Sequence, residues 1–311
     1  MDISIVIPVY NEKESLKTLY EELKEILLKM NSLYEIIFID DGSIDGTFDI
    51  LSGLNKVDKN VKVIQFRRNY GKSTALSVGF DKAIGKIVIS MDGDLQDSPK
   101  EIPKFLKSIK EGYDLVSGWK FHRKDSLSKT LSSKVFNKVT SLITGIKIHD
   151  FNCGFKAYRH EVVKNLNVYG ELHRYIPVLC SWEGYKVGEI KVNHHPRKFG
   201  ESKYGIWRYF SGFFDLITVT ITTKYLYRQL HLFGLIGLGL ISIGFFINMG
   251  LLLVKYTVGL TLTETRPLLL LVLGIFMMII GLQMFLSGLL GEIMSKLSGK
   301  KINYVVKNVI G

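Results

Sequence analysis

The residues with the clearest potential for chemistry form an acidic turn, Asp92-Gly93-Asp94-Leu95-Gln96-Asp97. Asp92 and Asp94 stand two residues apart after an apolar run that predicts a buried strand, so their side chains share one face. Two carboxylates held close together repel each other unless a cation lies between them. Carboxylate and amide oxygens suit Mg²⁺ or Mn²⁺, which take further ligands from phosphates. The turn therefore predicts a divalent-metal site with Asp92, Asp94 and Gln96 as ligands, next to a diphosphate.

Two other polar clusters also follow apolar runs. Pro8-Val9-Tyr10-Asn11-Glu12 follows the first run, and Asp40-Asp41-Gly42-Ser43 follows the second. Polar residues at the first cluster can hold a base and a ribose, and Asp41 can accept a hydrogen bond from a nucleobase; ordinary turns are the alternative for both. The sequence has neither a glycine-rich dinucleotide turn nor a GxxxxGKS/T phosphate loop. Nicotinamide, flavin and ATP-hydrolysing enzymes are therefore disfavoured.

The elements that must position these clusters alternate between strands and helices, which predicts an α/β fold with a mainly parallel sheet covered on both faces. In such sheets ligands bind beyond the carboxyl ends of the strands, where all three clusters fall. Strands are predicted over residues 3–9, 34–39, 61–66, 86–91, 113–118, 155–158 and 187–194. Helices are predicted over residues 14–30, from about 46, over 72–83, from the Ser98-Pro99 cap, and over 121–147.

The composition changes near residue 230. Residues 232–254 and 267–291 are stretches of 23 and 25 residues without a charge. At 1.5 Å rise per residue each can cross a hydrocarbon core of about 30 Å, and a pair of buried core helices is the alternative. Residues 207–227 predict an amphipathic helix at the membrane surface, with a core helix as the alternative. The connector between the spans holds only Lys255, Glu264 and Arg266 as charges, whereas the outer flanks are basic, with Lys224 and Arg228 before the spans and Lys296, Lys300 and Lys301 after them. Because an excess of basic residues belongs on the cytoplasmic side, both termini are predicted to be cytoplasmic, with a short external loop between the spans.

These patterns predict four segments of the chain. Residues 1–203 form the catalytic domain, residues 204–230 the juxtamembrane helix, residues 231–291 the two spans, and residues 292–311 a cytoplasmic tail. The first residues lack the basic and apolar regions of a signal peptide, so the expectation is that the chain starts directly with a folded element.

The charge of the chain points to an anionic partner. It has 41 Lys and Arg against 29 Asp and Glu, a net charge of +12. Nucleotide phosphates, a lipid headgroup surface and nucleic acid all fit this excess. Residues 119–147 concentrate it, with seven Lys and Arg against one acid, Asp125. The 2 cysteines form neither a disulfide framework nor a zinc motif.

Taken together, the three clusters resemble the family-2 glycosyltransferases in order and spacing, with a GT-A type sheet. Within that family the chain looks like the polyprenyl-phosphate hexose synthases, which include dolichol-phosphate mannose synthases and undecaprenyl-phosphate sugar transferases. The resemblance extends through both apolar stretches. Further matching motifs are Asn69-Tyr70-Gly71-Lys72, Asn152-Cys153-Gly154-Phe155-Lys156, and Arg197-Lys198-Phe199-Gly200-Glu201-Ser202-Lys203-Tyr204-Gly205.

The resemblance implies roles for individual residues. Pro8, Tyr10 and Glu12 match the turn that cradles the nucleotide, and Asp41 matches the aspartate that reads the base. Asp92 matches the residue near ribose and metal, while Asp94 and Gln96 match the metal ligands. A loop that closes over the donor and acceptor phosphates corresponds to Arg197, Ser202 and Lys203, and the acceptor phosphate site corresponds to Lys120, Arg123, Ser133 and Lys134.

The implied reaction is inverting transfer of a hexose from a nucleotide-diphosphate sugar to a polyprenyl or dolichyl phosphate. Two spans favour a UDP-hexose such as UDP-glucose as donor, with GDP-mannose as the runner-up. Asp150 is predicted to support catalysis, by holding a sugar hydroxyl, or to be a structural turn residue. His149, His173, His194 and His195 are not assigned as bases, because a phosphate acceptor that is already ionised needs none.

Two other functions remain compatible with the sequence. A processive polysaccharide synthase shares the fold, but the Gln-x-x-Arg-Trp motif typical of such enzymes is absent from the sequence. A membrane scaffold without activity is the second, and the intact acidic turn argues against it. The expected partners are the nucleotide sugar, the lipid phosphate, the membrane and further copies of the chain in a homo-oligomer, with no nucleic acid.

Overall fold

The computed structural model describes residues 1–121, 127–166, 168–196, 218, 229–258 and 265–297. Side chains of residues 127–132, 134, 135, 258, 265 and 295–297 lie outside this description. The described residues fall into two compact units, one containing those up to residue 218 and the other containing residues 229–297.

The first unit is built on a seven-stranded sheet within these described residues. The strands are β1 Ile3–Val9, β2 Tyr34–Asp40, β3 Val61–Gln65, β4 Ile87–Ser90, β5 Leu115–Lys120, β6 Lys156–Arg159 and β7 Val187–Val192. They lie side by side in the order β3-β2-β1-β4-β6-β5-β7. Strands β1 to β4 run parallel, β6 is antiparallel to both of its neighbours, and β5 and β7 are again parallel. The mainly parallel sheet predicted from the sequence is thereby confirmed.

Helices cover both faces of this sheet, because side chains along each strand alternate between two apolar layers. The helices are α1 Lys13–Lys29, α2 Thr47–Val57, α3 Lys72–Lys82, α4 Ile102–Lys110, α5 Leu127–Thr144, α6 His160–Asn165 and α7 Ile176–Trp182. On β1, Ile5 and Ile7 pack in one layer with α1 and α4, whereas Val6 packs in the other with α3 and α7. Short 3₁₀ turns span Pro99–Glu101 and Leu172–Tyr175.

One predicted helix start is wrong in detail. Pro99 begins a 3₁₀ turn, and α4 starts only at Ile102. The Ser98 side chain makes no capping hydrogen bond. The Ser-Pro pattern predicts the position of a turn, but it does not distinguish a 3₁₀ turn from the first turn of an α-helix.

The second unit consists of two long apolar helices, α8 Gln229–Val258 and α9 Thr265–Leu297. Both are long and apolar enough to cross a membrane, over Gln229–Thr257 and Arg266–Met294. Large apolar side chains such as Leu235 and Phe246 are 72% and 71% exposed. The helices confirm the two predicted stretches as candidate spans, while the predicted amphipathic helix at 207–227 lies outside the described residues except for residue 218.

Candidate active site

The acidic turn follows β4 and is fixed to β1 and α1. The Ser15 hydroxyl donates to the Gly93 carbonyl oxygen at 2.6 Å. A Cβ atom on Gly93 would lie 2.8 Å from a Val9 methyl group, so this close approach requires glycine. Leu95 is buried and has a φ of 60°, a left-handed conformation that is costly for a residue with a branched side chain. The turn is thus held in a strained shape by contacts on both sides.

Asp92, at the start of the turn, forms an ion pair with Lys72, the first residue of α3. Both side chains retain some solvent access, with 21% of Lys72 and 29% of Asp92 exposed. Burial opposes ionisation of Asp92, but the charges of Lys72 and Lys120 outweigh it and hold the pKa of this carboxyl far below its usual range. Asp92 is therefore ionised, and it is paired with a cationic side chain at a place that solvent reaches.

Gly154 provides the space that Asp92 occupies. A Cβ atom at position 154 would lie 2.6 Å from both carboxylate oxygens of Asp92. The carbonyl oxygen of Gly154 accepts a hydrogen bond from the Ser90 hydroxyl at 2.8 Å. The segment before β6 thus packs directly against the acidic turn, and only glycine fits there.

Asp94 and Gln96 complete the predicted ligand set. Asp94 is buried, and its Oδ1 accepts a hydrogen bond from the Gln96 backbone N–H at 3.2 Å. Within the described ranges no group of three or more His, Cys, Asp or Glu is arranged to hold a metal by itself. Two carboxylates and an amide are hard oxygen donors, and they fit a divalent cation that takes its other ligands from phosphate and water. The residues present therefore fit Mg²⁺ or Mn²⁺.

Asp97, at the other end of the turn, is enclosed with Lys120. Lys120 Nζ lies 3.2 Å from Asp97 Oδ1, and the side chains are 11% and 0% exposed. Burial and the nearby charges of Asp92 and Asp94 raise the pKa of Asp97, although Lys120 opposes this. The surrounding acids Asp97, Cys153, Asp92 and Asp150 raise the pKa of Lys120 against its burial. Lys120, which is predicted to bind the acceptor phosphate, forms an ion pair in this structure with the buried carboxylate of Asp97.

The first two polar clusters are joined by hydrogen bonds. The Asn11 N–H donates to the Ser43 hydroxyl at 2.9 Å, and Asn11 Oδ1 accepts from the Ile44 N–H at 2.9 Å. The Glu12 N–H donates to the Thr47 hydroxyl at 3.0 Å. Asn11 has a φ of 51°, a left-handed conformation that asparagine tolerates. Pro8, Tyr10 and Glu12 lie partly buried along this joined rim.

Asp41 is buried below the loop that leads into α3. Its two carboxylate oxygens accept hydrogen bonds from the backbone N–H groups of Tyr70, at 2.7 Å, and Gly71, at 2.9 Å. Burial, the largest influence, raises the pKa of Asp41. Each oxygen keeps lone-pair capacity for a further donor. Asp41 thus fixes the loop that presents Lys72, in addition to its predicted contact with a base.

Asp150 lies near Lys120 in the same unit. It is 1% exposed, and its Oδ1 accepts a hydrogen bond from the Asn152 N–H at 3.2 Å. Its own N–H donates to Glu189 at 3.0 Å. Ser133 is partly buried on α5. The remaining predicted acceptor residues fall outside the description: Arg123 as a whole residue and Lys134 as a side chain.

The chain after β7 returns to the acidic turn. Asp97 and His194 form an antiparallel bridge, and the His195 N–H donates to the Gln96 carbonyl oxygen at 3.0 Å. This brings the chain beside the predicted metal ligands just before the predicted closing loop. Arg197, Ser202 and Lys203 themselves lie outside the described residues.

Lys72, Gly154 and Asp97 have structural roles that were not predicted from the sequence, although all three lie in the motifs named above. Lys72 carried a local signal, because it follows Gly71 at the start of a predicted helix, where φ is 90°. The partners of these residues are 20, 62 and 23 positions away in the sequence, respectively. Local patterns do not reveal such distant pairings.

The fold and the site define a class of protein: a mainly parallel α/β sheet with an Asp-x-Asp turn after a central strand is the GT-A arrangement. The family model for glycosyl transferase family 2 matches residues 4–166, more than half of the chain. This protein belongs to that family and is a glycosyltransferase.

Two curated relatives match almost the whole chain. Dodecaprenyl-phosphate galacturonate synthase from Rhizobium johnstonii is 33% identical over 317 residues, covering 99% of this chain and 93% of the relative. Undecaprenyl-phosphate 4-deoxy-4-formamido-L-arabinose transferase from Yersinia pestis is 34% identical over 313 residues, covering 99% and 94%. At this coverage both alignments continue through α8 and α9.

Solved structures share the fold at low sequence identity. Glucosyl-3-phosphoglycerate synthase from Mycobacterium tuberculosis, in complex with Mn²⁺, UDP-glucose and glycerol 3-phosphate, has a TM-score of 0.54 and 17% identity, covering 71% of this chain and 79% of that one. Mannosyl-3-phosphoglycerate synthase from Rubrobacter xylanophilus has a TM-score of 0.59 and 13% identity, covering 72% and 75%. These likenesses confirm the fold.

Proposed function

We propose that this protein transfers one sugar from a nucleotide-diphosphate sugar to a polyprenyl phosphate at a membrane surface, inverting the anomeric carbon. The observation that carries the proposal is the match to two polyprenyl-phosphate sugar transferases over 99% of the chain, including both apolar helices. The acidic turn supports a diphosphate donor, and the candidate spans support a lipid acceptor.

In this proposal the rim around the acidic turn binds the donor. Pro8, Tyr10 and Glu12 contact the nucleotide, and Asp41 accepts a hydrogen bond from its base. Asp92, Asp94 and Gln96 hold Mg²⁺ or Mn²⁺, which supplies charge stabilisation for the departing nucleoside diphosphate. Lys72, which pairs with Asp92 in the structure, would be released if a cation held that carboxylate, and its ammonium would then be able to pair with a phosphate oxygen.

The acceptor needs positioning more than activation. A phosphate monoester is largely dianionic at neutral pH, so its oxygen attacks the anomeric carbon without a strong base. Lys120, Arg123, Ser133 and Lys134 are the candidates for holding this phosphate, with Arg197, Ser202 and Lys203 closing over both substrates. The Asp97 partner of Lys120 orients its ammonium, while Asp150 next to it holds a sugar hydroxyl.

The donor sugar is the least constrained part of the proposal. UDP-hexoses such as UDP-glucose are favoured over GDP-mannose. The named relatives use galacturonate and 4-deoxy-4-formamido-L-arabinose, so acidic and nitrogen-bearing sugars belong in any donor panel.

The decisive assay mixes purified full-length protein with labelled UDP and GDP sugars, Mn²⁺ or Mg²⁺, and a short polyprenyl phosphate. Transfer of a single sugar to the lipid is the expected result. A polymeric product would favour a processive synthase, and no turnover with any donor would favour a scaffold without activity.

The proposed topology places the catalytic unit and both termini in the cytoplasm, with residues 259–264 outside. Alkaline phosphatase fused after Leu262 should be active in a bacterial host, whereas a fusion after Gly311 should be inactive. The reverse pattern would contradict the orientation. Native mass spectrometry of the detergent-solubilised chain tests the proposed homo-oligomer, because a monomer alone would refute it.

A further inference from the structure

His173 is hydrogen-bonded to the residue that follows Lys72 on α3, and it has no part in the function proposed above. It is the second residue of the 3₁₀ turn Leu172–Tyr175, which packs against α3. The residue that it meets on α3 is Ser73, immediately after Lys72. Ser73 follows Lys72, whose ammonium pairs with Asp92 of the acidic turn, so the residue that binds the ring is one position along α3 from that ion pair.

Two hydrogen bonds to one hydroxyl fix the His173 ring. The His173 backbone N–H donates to Ser73 Oγ at 3.1 Å, and His173 Nδ1 lies 2.9 Å from the same oxygen. Ser73 is fully buried. Because Oγ already accepts from the backbone, its own proton points to Nδ1, and a neutral ring then carries its proton on Nε2.

The surroundings keep the ring neutral. The pKa of His173 lies well below its usual range, and burial is the main cause. The charges of Lys72, Arg174 and Lys156 lower the pKa further, while Asp92 acts in the opposite direction. Among the described residues, the hydrogen bonds of His173 use its backbone N–H and Nδ1, and none uses Nε2. A buried serine and a backbone N–H therefore orient a ring whose remaining donor is available next to the predicted diphosphate site.

We propose that the Nε2–H of His173 donates a hydrogen bond to a substrate phosphate oxygen, and that Ser73 orients the ring for this contact. The inference rests on the proposed function, since that function brings phosphates to the acidic turn. Lys72 already supplies positive charge there, whereas a neutral N–H supplies direction without repelling the neighbouring cations. The phosphate belongs either to the donor diphosphate or to the acceptor lipid, which share this chemistry.

Two amide variants separate this role from a structural one. His173→Asn keeps an acceptor near the Nδ1 position for Ser73 but removes the donor at Nε2. His173→Gln places an amide N–H near the Nε2 position but gives up the bond to Ser73. Thermal unfolding of each detergent-solubilised variant reports folding, and Ser73→Ala tests the orientation of an intact ring.

Binding of UDP and of GDP with Mn²⁺ is measured by calorimetry, and KM for a short polyprenyl phosphate is measured with the best donor. His173→Asn should raise either the nucleotide Kd or the KM for the lipid phosphate by about tenfold to a hundredfold, the usual range for the loss of a hydrogen bond to a charged group. A raised nucleotide Kd assigns the contact to the donor, and a raised KM for lipid phosphate assigns it to the acceptor. His173→Gln should stay within about threefold of wild type, and Ser73→Ala should fall in between.

The opposite ranking, with His173→Asn like wild type and His173→Gln impaired, would show a structural role only and overturn the inference. Unchanged binding and KM in all three variants would overturn it as well. If the wild type transfers no sugar, the proposed function fails instead, and the calorimetric measurement still decides whether His173 contacts a diphosphate.

Discussion

The acidic turn has a lysine–aspartate pair at each end, and the two pairs differ in their access to solvent. Lys72 and Asp92 are both partly exposed, whereas Lys120 and Asp97 are almost completely enclosed. An exposed pair exchanges partners at little cost, whereas removing one member of an enclosed pair leaves a buried charge. In the proposed function, therefore, the Lys72 end opens for substrate and metal, while the Lys120 end keeps its ion pair, which supports the turn and orients the Lys120 ammonium for the acceptor phosphate.

The largest expected effect comes from breaking the enclosed pair. Asp97→Ala leaves the Lys120 ammonium buried without its partner and should lower the free energy of unfolding by about 3–5 kcal/mol. In a unit of this size that corresponds to a fall of roughly 10 °C in the thermal midpoint, measured by tryptophan fluorescence. The double variant Asp97→Leu/Lys120→Met should be less destabilised than Asp97→Ala. A midpoint unchanged in Asp97→Ala would refute the fixed role of this end.

Removing a predicted metal ligand should affect activity instead of stability. Asp94→Ala should reduce sugar transfer by more than about a hundredfold, since even residues that only orient metal ligands cost up to that factor. The thermal midpoint should stay close to that of wild type. Retained transfer would contradict the metal assignment, and a large fall in the midpoint would mean that Asp94 is mainly structural.

A smaller loss is expected from crowding Asp92 at the open end. Gly154→Ala places a methyl group against both carboxylate oxygens and should reduce transfer by about tenfold, since the carboxylate must shift. Gly53→Ala is the matched control, because a Cβ atom there meets nothing within 4 Å. If both variants behave alike, the space at Gly154 does not matter for Asp92.

The smallest expected effect is the pH dependence of the open pair. The folded pKa of Asp92 lies below its unfolded value of about 3.9, so the pair stabilises the fold above that pH and loses this contribution as the pH falls below it. Lys72→Met should therefore lower stability by about 1 kcal/mol at pH 7, and the difference from wild type should shrink below about pH 4.

A matched control for this pH dependence is available on the same helix. Lys82 pairs with Asp81 at 3.4 Å, and both side chains are more than half exposed. Lys82→Met should show no pH-dependent difference from wild type in the thermal midpoint. A constant difference between Lys72→Met and wild type from pH 7 to pH 3 would show that Asp92 does not depend on its lysine.

Local patterns predicted most of the elements in this fold. The strand at Ile3–Val9 was predicted with its observed bounds, because its apolar run ends abruptly at the polar cluster that follows. The antiparallel insertion of β6 between β4 and β5 was not predicted, since sheet order depends on pairings between residues far apart in sequence. The same limit applies to the site. Asp92 and Asp94 are recognisable from their spacing in the sequence, but the Lys72–Asp92 and Lys120–Asp97 pairs join residues that are far apart along the chain and are seen only in the folded structure.

The most direct test of the account is to measure Mn²⁺ binding in the presence of UDP, using the electron paramagnetic resonance signal of the free ion as the readout. The wild type should bind Mn²⁺, Asp94→Ala should weaken binding by at least about tenfold, and Asp97→Asn, at the fixed end, should stay within a few-fold of wild type. Equal binding by wild type and Asp94→Ala, or a greater loss in Asp97→Asn, would contradict the assignment of the metal to the Asp92 end of the acidic turn.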